Sequence, residues 1–483
     1  MLQPIPIPFG FYQSDSKKLS IQRCINWLPV VSEKDSLNNR SLIQPPGLKE
    51  FSDTLVTGNR GGLDMAEVPY FVNGNSLVSV SSLGVTTNHG NIVGSGRVSL
   101  ATNGQYLVIV VPGVTAYAYD NRSLTLTEIK SSGFRVSNIV VFKDGYFVFA
   151  ASDGSFYFNS ALNDPFTYSG LDVGTAEINE DKIISLHVNH NELFVQGTKT
   201  IEIFQNVGGS GFPFQRIPGA NIQKGNHARF SNVEFDNTFC FLGGGLNELP
   251  AIWKVTGSSS AVKISTDTID KEIQKFNAEE ISNAFALTLS YKGQFLALFT
   301  IDSERIPSRT FVYNATASVL SSSNIWFEFQ DGVIDGRFCV QSIVPAYGKL
   351  LVGDNTKGII GEIDESTLTY YGDHIFRQAT TQPFDQNGNE IFSGELEATF
   401  DSGVGLTSGE GSDPVVRMRF SDDGGNTMKG PFRRKLGKIG KYKQRTIWAR
   451  QGSFPQSRSI EFTVTDPIRA NLVKLAASPE VGL

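Results

Sequence analysis

The stretch IVGSGRVSLATNGQYLVIV, residues 92–110, decides between two kinds of structure. Gly94 and Gly96 have the form of a phosphate-binding glycine turn, but such a turn must open a helix whose first amides bind the phosphate. No helical pattern follows. The residues RVSLA alternate, Asn103 and Gly104 favour a tight turn, and the next run is β-branched and aromatic. The stretch therefore predicts a β-hairpin and no phosphate site.

The same hairpin pattern recurs along the middle of the chain. Each copy has an apolar strand, a polar turn and a second apolar strand, and successive turns are roughly 30 to 56 residues apart. An all-strand unit that recurs about every 40 to 50 residues is typical of a β-propeller, because one four-stranded sheet cannot bury both its faces alone. We expect an all-β fold with a propeller-like body of six or seven blades over residues 55–365. The predicted turns are Asn73-Gly74, Asn103-Gly104, Asp144-Gly145, His190, Asp236-Asn237, Lys292-Gly293 and Tyr347-Gly348.

Two further regions flank the predicted body. Residues 1–54 are rich in proline and polar turns, which predicts an extended N-terminal arm that closes the propeller or reaches a neighbouring subunit. Residues 366–483 contain further strand patterns and predict a separate C-terminal β domain. Within the body, residues 268–282 have apolar side chains at helical spacing and predict one short helix capped by Thr268.

The composition and the motifs argue against several classes of protein. No run of eighteen apolar residues is present, and the first residues lack the pattern of a secretion signal, so no membrane segment is expected. Cys24, Cys240 and Cys339 are far apart in the sequence and are expected to be reduced thiols. His187 and His190 lie on opposite faces of a predicted strand and cannot bind one metal. Without a GxSxG, HExxH or CxxC motif, we predict no catalytic residue, no metal site and no cofactor.

One segment of the chain is strongly basic. Residues 429–450 contain nine lysines and arginines and no acidic residue. Because the net charge of the whole chain is −6, the rest of the chain carries a charge of about −15. Such a segment faces phosphates or an acidic surface of a partner, or is a solvated edge whose lysines discourage strand pairing. The candidate subunit-contact or DNA-facing residues are Lys429, Arg433, Arg434, Lys435, Lys438, Lys441, Lys443 and Arg445.

Several short segments, in this order, carry a family resemblance. The chain resembles the packaged-DNA stabilisation proteins of P22-like short-tailed bacteriophages, which are tail hubs, also called nozzles or tail accessory factors. It departs from them in the Gly/Ser-rich segment FDSGVGLTSGEGSD, residues 400–413, and in the basic run that follows. The matching segments are INWLPV (25–30), PPGL (45–48), RGGLDM (60–65), GSGRVSL (94–100), KTIEIFQN (199–206), IQKGN (222–226), the long stretch 250–280, IWARQGSF (447–454) and IEFTVTDPIRA (460–470).

The resemblance implies a structural protein of the virion tail, made in the cytoplasm of the bacterial host and without enzymatic activity. It implies a hexameric ring below the head-to-tail adaptor protein that retains packaged DNA. The ring would anchor tailspikes or tail fibres and a distal needle or plug. It would also form part of the ejection channel, through which double-stranded DNA passes without sequence specificity.

The alternative is a carbohydrate-active or carbohydrate-binding propeller, sialidase-like or lectin-like. Its support is SDDGGNTM, residues 421–428, which has the form of an Asp-box turn with Met428 in place of the usual aromatic residue. In such a turn the Ser and Asp side chains bind backbone amides, so the motif is structural rather than catalytic. A third interpretation is an interaction scaffold of the bacterium itself.

Overall fold

The structure is a computed structural model that describes residues 2–34, 36–176, 181–209, 211–332, 335–385 and 389–481. Strands make up nearly all of its regular secondary structure, and the all-β prediction is confirmed. The N-terminal segment contributes β1 Gln3–Ile5, β2 Tyr12–Gln13, β3 Ile21–Ile25, β4 Leu28–Val31, β5 Arg40–Ile43 and β6 Gly47–Asp53.

From Asn59 onward the chain forms successive antiparallel sheets in which consecutive strands are neighbours. Tight turns between β-branched and aromatic runs produce this order, because a hairpin places each strand beside the one before it. The first four units contain β7 Asn59–Met65, β8 Val68–Asn73, β9 Ser76–Val80, β10 Thr86–Asn91, β11 Ser99–Thr102, β12 Tyr106–Val111, β13 Thr115–Asp120, β14 Thr125–Glu128, β15 Ser137–Lys143, β16 Tyr146–Ala151, β17 Tyr157–Ala161, β18 Asp164–Gly174, β19 Ile183–Asn189, β20 Glu192–Gly197, β21 Ile201–Asn206 and β22 Phe214–Ile222.

Three more units of this kind follow along the described chain. In the fifth, two short strands both pair with the same neighbour in the place of one first strand. These units contain β23 Gly225–Asn226, β24 Val233–Phe235, β25 Thr238–Gly244, β26 Ala251–Val255, β27 Ala261–Lys263, β28 Phe285–Tyr291, β29 Gln294–Ile301, β30 Arg309–Asn314, β31 Ile325–Phe329, β32 Val340–Ala346, β33 Lys349–Asp354 and β34 Ile359–Asp364.

The seven units close into a ring. Neighbouring units contact one another, and β32 of the seventh unit contacts β7 of the first. The seventh sheet is completed by β6, which comes from before the first unit and runs antiparallel to β34. One sheet therefore holds strands from both ends of the ring-forming segment, and its hydrogen bonds tie those ends together.

Alternation along the strands packs each unit against both of its neighbours. On β12, Ile109 and Val111 pack with Tyr70 of the first unit. Val108, which points to the opposite face of the same strand, packs with Phe147 of the third unit. Because side chains alternate between the two faces of a strand, one run of apolar residues serves two separate cores.

Most of the turns predicted from the sequence are confirmed. In the two-residue turns both residues have positive φ, which matches the twist of the strands they join. The turns with this geometry are Asp144-Gly145, Asp236-Asn237, Lys292-Gly293 and Tyr347-Gly348. The turn at His190, whose φ is 51°, is also confirmed.

Two of the predicted turns are displaced. Asn73 is the last residue of β8 and pairs with Ser76, so the turn residues are Gly74 and Asn75. Thr102 is the last paired residue of β11, and its partner on β12 is Leu107, so that connection is longer than two residues. The Asn103 side chain stabilises this longer loop by accepting hydrogen bonds from the amides of Gln105 and Tyr106.

The described residues include three short helices, α1 Asp267–Ile273, α2 Ala278–Ser282 and α3 Ala315–Ser321. The single helix expected over residues 268–282 is two helices, because Asn277 forms a capping box with Glu280 and starts α2. The prediction that Thr268 caps the first helix is wrong. Thr266 accepts the capping bond from the amide of Ile269, and Thr268 lies inside the helix. Along the described residues, no helix has the length and apolar character needed to cross a membrane.

The C-terminal region forms two further sheets with help from the N-terminal strands. One sheet has the order β4-β5-β44-β39-β42 with β1 beside β44, and the other continues as β3-β37-β43-β40-β41. Trp448 and Phe462 belong to different sheets, and their ring centroids are 5.7 Å apart in the core between them. The short strands β35 Thr369–Tyr370 and β36 Asp373–His374 follow β6 in the sheet of the seventh unit. The strands of the C-terminal region are β37 Arg377–Thr380, β38 Phe384–Asp385, β39 Ile391–Phe400, β40 Val415–Ser421, β41 Lys429–Lys435, β42 Thr446–Phe454, β43 Ser457–Val464 and β44 Leu472–Val481.

Strand β3 joins the two bodies. It runs parallel to β31 of the sixth unit on one side and antiparallel to β37 on the other. The sheet of the sixth unit therefore continues without a break into the C-terminal body. At this junction Arg23 bonds the buried carboxylate of Glu328, which also accepts a bond from Arg309 at 2.8 Å. The domain bounds expected from the sequence, 1–54, 55–365 and 366–483, stay a prediction.

Candidate subunit-contact surface

Strand β41 forms an exposed basic edge. It is the last strand in the order of its sheet, it pairs with β40, and all seven of its residues are exposed. Two contacts hold it in place. The Phe432 ring stacks on Phe420 with 5.9 Å between centroids, and the Trp448 indole nitrogen donates to the carbonyl of Phe432 at 3.0 Å. The strand is thus ordered by aromatic packing while its cations remain in solvent.

Three of the eight candidate cations have acidic partners. Arg445 lowers the pKa of Glu397 through a side-chain hydrogen bond, and Lys435 lowers the pKa of Asp413 in the same way. Such surface pairs contribute little to stability, since water screens them. The pairs are Lys429 with Asp422 at 3.1 Å, Lys435 with Asp413 at 2.6 Å and Arg445 with Glu397 at 2.7 Å.

The other five candidate cations form no ion pair with any residue that the structure describes. They are all exposed, so their charges are available to a partner. Arg434 is the most constrained of them, because its guanidinium donates to the carbonyl of Ile447 at 2.7 Å. The five are Arg433, Arg434, Lys438, Lys441 and Lys443.

The basic loop after β41 packs on the Gly/Ser-rich segment. Ser402 donates to the carbonyl of Tyr442 at 2.7 Å, and the amide of Gly440 donates to the carbonyl of Gly403 at 3.2 Å. Gly403 has a φ of 74°, and a Cβ there would lie 2.7 Å from the Tyr442 ring. The two segments that depart from the family pattern therefore form one lobe. Their adjacency in sequence was the only available signal for this contact.

The Asp-box segment is a turn of the C-terminal body and lies between β40 and β41. Asp423 accepts hydrogen bonds from the Ser421 hydroxyl at 2.7 Å and from the Thr427 amide at 2.9 Å. The hydrogen bonds from the side chain and amide of Thr427 hold the pKa of Asp423 well below its usual range. Its polar groups are thus occupied with forming the turn that presents β41.

The histidines and cysteines form no chemical centre in the described part of the chain. His187 lies on β19, and His190 lies in the following turn and bonds Asn237 at 3.2 Å. Within the described ranges, no group of histidine, cysteine and acidic side chains is placed to hold a metal ion. Cys24, Cys240 and Cys339 are buried and form no disulfide with one another.

Both bodies of the chain match models of a known protein family. A family model described as bacteriophage P22 Gp10, beta-propeller, matches residues 3–368. A second, described as bacteriophage P22 Gp10, beta-sandwich, matches residues 377–480. The chain belongs to the bacteriophage P22 Gp10 family. The predicted propeller-like body and C-terminal β domain are thereby confirmed.

A curated relative gives this family its role. The chain is 23% identical over 395 residues to the tail hub protein gp10 of Salmonella phage P22, and the match covers 78% of this chain and 80% of the relative. This member of the P22 Gp10 family is therefore a structural protein of a phage tail. The predictions of a phage tail protein and of a place in the virion are confirmed.

Solved structures show only weak overall likeness to this Gp10 family member. The computationally designed Ika8 protein is 12% identical with a TM-score of 0.36, and the match covers 65% of this chain and 99% of that chain. A chain of the mitotic checkpoint complex is 10% identical with a TM-score of 0.38, and the match covers 69% and 97%. Both scores are too low to add to the assignment.

Proposed function

We propose that this chain is the tail hub of a short-tailed phage and that six copies form a ring below the head-to-tail adaptor. The observation that carries the proposal is the match to the P22 tail hub protein over 78% of the chain, together with family models that cover both the propeller and the sandwich. Rings of like subunits use heterologous contacts that close. Each subunit would contribute a seven-bladed propeller, its blades being the seven units of the closed ring.

In this role the ring retains packaged DNA and forms part of the ejection channel. It anchors tailspikes or tail fibres and a distal needle or plug. Duplex DNA must slide through without being held, and a surface dense in lysine and arginine would trap it by releasing counterions. The net charge of −6 suits a conduit that does not bind duplex strongly.

The basic edge of β41 fits a subunit contact better than a channel lining. Two of the five unpaired cations lie on β41 and three lie in the loop that follows it. All five are exposed, and a six-fold collar of them would grip phosphates. The rest of the chain is acidic, so a neighbouring copy offers complementary charge. We therefore assign Arg433, Lys438 and Lys441 to contact with the next subunit or with an acidic neighbouring tail protein.

Electron microscopy tests the hub. The purified chain is imaged in negative stain with and without rings of the phage's own adaptor protein. We expect six-fold rings, or a six-fold extension on the adaptor. Dispersed single subunits in both samples would contradict the proposal, and a glycan-binding screen would then test the carbohydrate-binding alternative.

A charge-reversal variant tests the contact surface. Arg433→Glu/Lys438→Glu/Lys441→Glu removes three cations that have no ion pair in the described residues, so the fold should be kept. We expect fewer rings and fewer DNA-filled particles, with an unchanged circular dichroism spectrum. The control, Arg122→Glu/Lys130→Glu/Arg135→Glu, makes the same charge change on the second unit and the loop after it, where Lys130 alone of the three has an ion pair among the described residues, with Glu128 at 2.8 Å. Equal assembly by both variants would contradict the assignment of these three cations to a subunit contact.

A further inference from the structure

A cavity of about 230 Å³ lies at the centre of the propeller ring. Its lining comes from the first strands, or the residues beside them, of six units, including Gly62 of β7, Ser99 of β11, Val140 of β15 and Ala286 of β28. Among the described residues that line it, none is acidic, yet arginines are present. An uncompensated cation in a confined, partly dehydrated space is unfavourable unless something neutralises it.

Arg97 is the first of these cations and comes from the glycine stretch before β11. Its guanidinium donates to the carbonyl of Gln341 at 2.6 Å and lies 4.4 Å from the centroid of the Phe285 ring. It forms no ion pair in the described chain, whereas nearby Arg337 is paired with Asp302 at 2.7 Å. Burial, with Arg337 adding repulsion, lowers the pKa of Arg97 to about 9.

Arg229 is the second cation of the cavity. Its backbone is fixed, because the Ser185 hydroxyl donates to its carbonyl at 2.8 Å and Asn232 in turn donates to Ser185 at 3.0 Å. Its guanidinium has neither a hydrogen bond nor an ion pair to any described residue. Burial lowers the pKa of Arg229 below its ordinary value. The guanidinium thus carries five N–H donors that no described residue satisfies, on a residue that lines the cavity.

His187 also lines the cavity, but its Nε2 is closed off from it. Its Nε2 is buried and has no hydrogen-bond partner among the described residues, and its ring packs on Phe239 with 4.4 Å between centroids. Burial lowers the pKa of His187 to about 4, so the ring is neutral near pH 7.

We propose that the central cavity binds one phosphate-sized oxyanion, held by the guanidinium groups of Arg97 and Arg229. Guanidinium forks match the oxygen spacing of phosphate and carboxylate, and charge-assisted bonds of this kind are the stronger ones. A water molecule occupies about 30 Å³ of liquid, so the cavity has room for a tetrahedral anion with part of its hydration. The anion neutralises the cations at the place where the inner strands of the ring meet.

Titration of the full chain with inorganic phosphate tests this site. Binding is measured by calorimetry against sodium chloride at the same ionic strength. We expect saturable binding of one phosphate per chain. Arg229→Gln should weaken binding about tenfold or more, because a charge-assisted bond is lost. Arg122→Gln, an equal charge change in an exposed turn, should leave the affinity unchanged.

Two further measurements can contradict the phosphate site. The variant Arg433→Glu/Lys438→Glu/Lys441→Glu should bind phosphate as the parent chain does. If it loses the binding while Arg229→Gln keeps it, the anion sits on the basic edge and the proposal is wrong. In phosphate-free buffer, Arg229→Gln should unfold at the same temperature as the parent chain or higher. Lower stability there, or no saturable binding by the parent chain, would also overturn the site.

Discussion

At the scale of single residues, Asn26 joins the two bodies. It is fully buried, and its side-chain nitrogen donates to the carbonyls of Gln330 and Phe376 at 2.8 Å each. Its side-chain oxygen accepts from the amide of Gln330 at 3.0 Å. Its φ of 50° is left-handed, a conformation that asparagine tolerates better than most residues. No other side chain combines this backbone preference with a donor and an acceptor of this reach.

His187 gives the fold a dependence on pH. Because burial lowers its pKa from 6.5 to about 4, the unfolded chain binds a proton more readily than the folded chain between those values. Stability is therefore lost as the pH falls from about 6.5 towards 4. Between pH 7 and pH 5 this residue should remove about 2 kcal/mol from the free energy of unfolding.

Urea unfolding at pH 7 and pH 5 checks this effect. The loss on acidification should be about 2 kcal/mol smaller in His187→Gln than in the parent chain. His190→Gln, which changes an exposed histidine in the next turn, should behave as the parent chain does. An equal pH dependence in all three proteins would show that His187 does not carry the effect.

At the scale of elements, the residues of each turn and its flanking strands were enough to predict the hairpins. A two-residue turn such as Asp144-Gly145 is encoded within four residues, and its outcome depends little on the rest of the chain. The displaced turn at Asn73 shows the limit, because alternation alone leaves the register open by one residue. The cap at Thr266 was missed for a similar reason, since Thr266 and Thr268 both offer a hydroxyl at the start of the helix.

The turn at Lys292 offers an element-scale prediction. Lys292 is exposed and has a φ of 49°, which is unfavourable for a lysine. Lys292→Asn should be more stable than Lys292→Ala by about 1 kcal/mol, because asparagine accepts the left-handed conformation. Both variants lose the contact of the ammonium with the Tyr291 ring, so their difference reports the turn alone. Equal urea midpoints would count against backbone strain at this position.

The candidate surface was only partly predictable. The run of cations in residues 429–450 is visible in the sequence, but their partners are not. Lys435 meets Asp413 and Arg445 meets Glu397 through strand pairing that no spacing rule encodes. The central arginines were missed altogether. Arg97 lies in the glycine-containing stretch before β11, yet only closure of the ring brings it beside the same cavity as Arg229.

At the scale of the whole molecule, the continuous sheet couples the two bodies. Strand β3 has no sequence signal for its partners, which lie about 300 residues further along the chain at Glu328 and about 350 further at Gln378. The Trp27 indole nitrogen donates to the carbonyl of Ala470 at 2.7 Å and adds a second link of this kind. Long-range pairing of this sort is settled by the assembled core rather than by local pattern.

Hydrogen exchange should reveal this coupling. Trp448→Ala removes a buried ring from the sandwich core and should cost about 3 to 5 kcal/mol there. We expect amide exchange to quicken about tenfold or more in the sandwich and in β31, but much less in β12. Phe149→Ala, which empties a core of the third unit, should leave β31 nearly unchanged. Unchanged exchange in β31 of the Trp448→Ala chain would show that the bodies open independently.

The pairing of β5 with β44 has a consequence for the nascent chain during translation. Leu42 is opposite Leu472, so its partner leaves the ribosome 430 residues later. At roughly 5 to 20 residues per second, that delay is on the order of 20 to 90 s. During that time β5 lacks its partner β44, and Leu42 is not yet covered by it. A nascent chain that stops before residue 472 lacks the strand that pairs with Leu42, so a truncated subunit cannot complete this sheet.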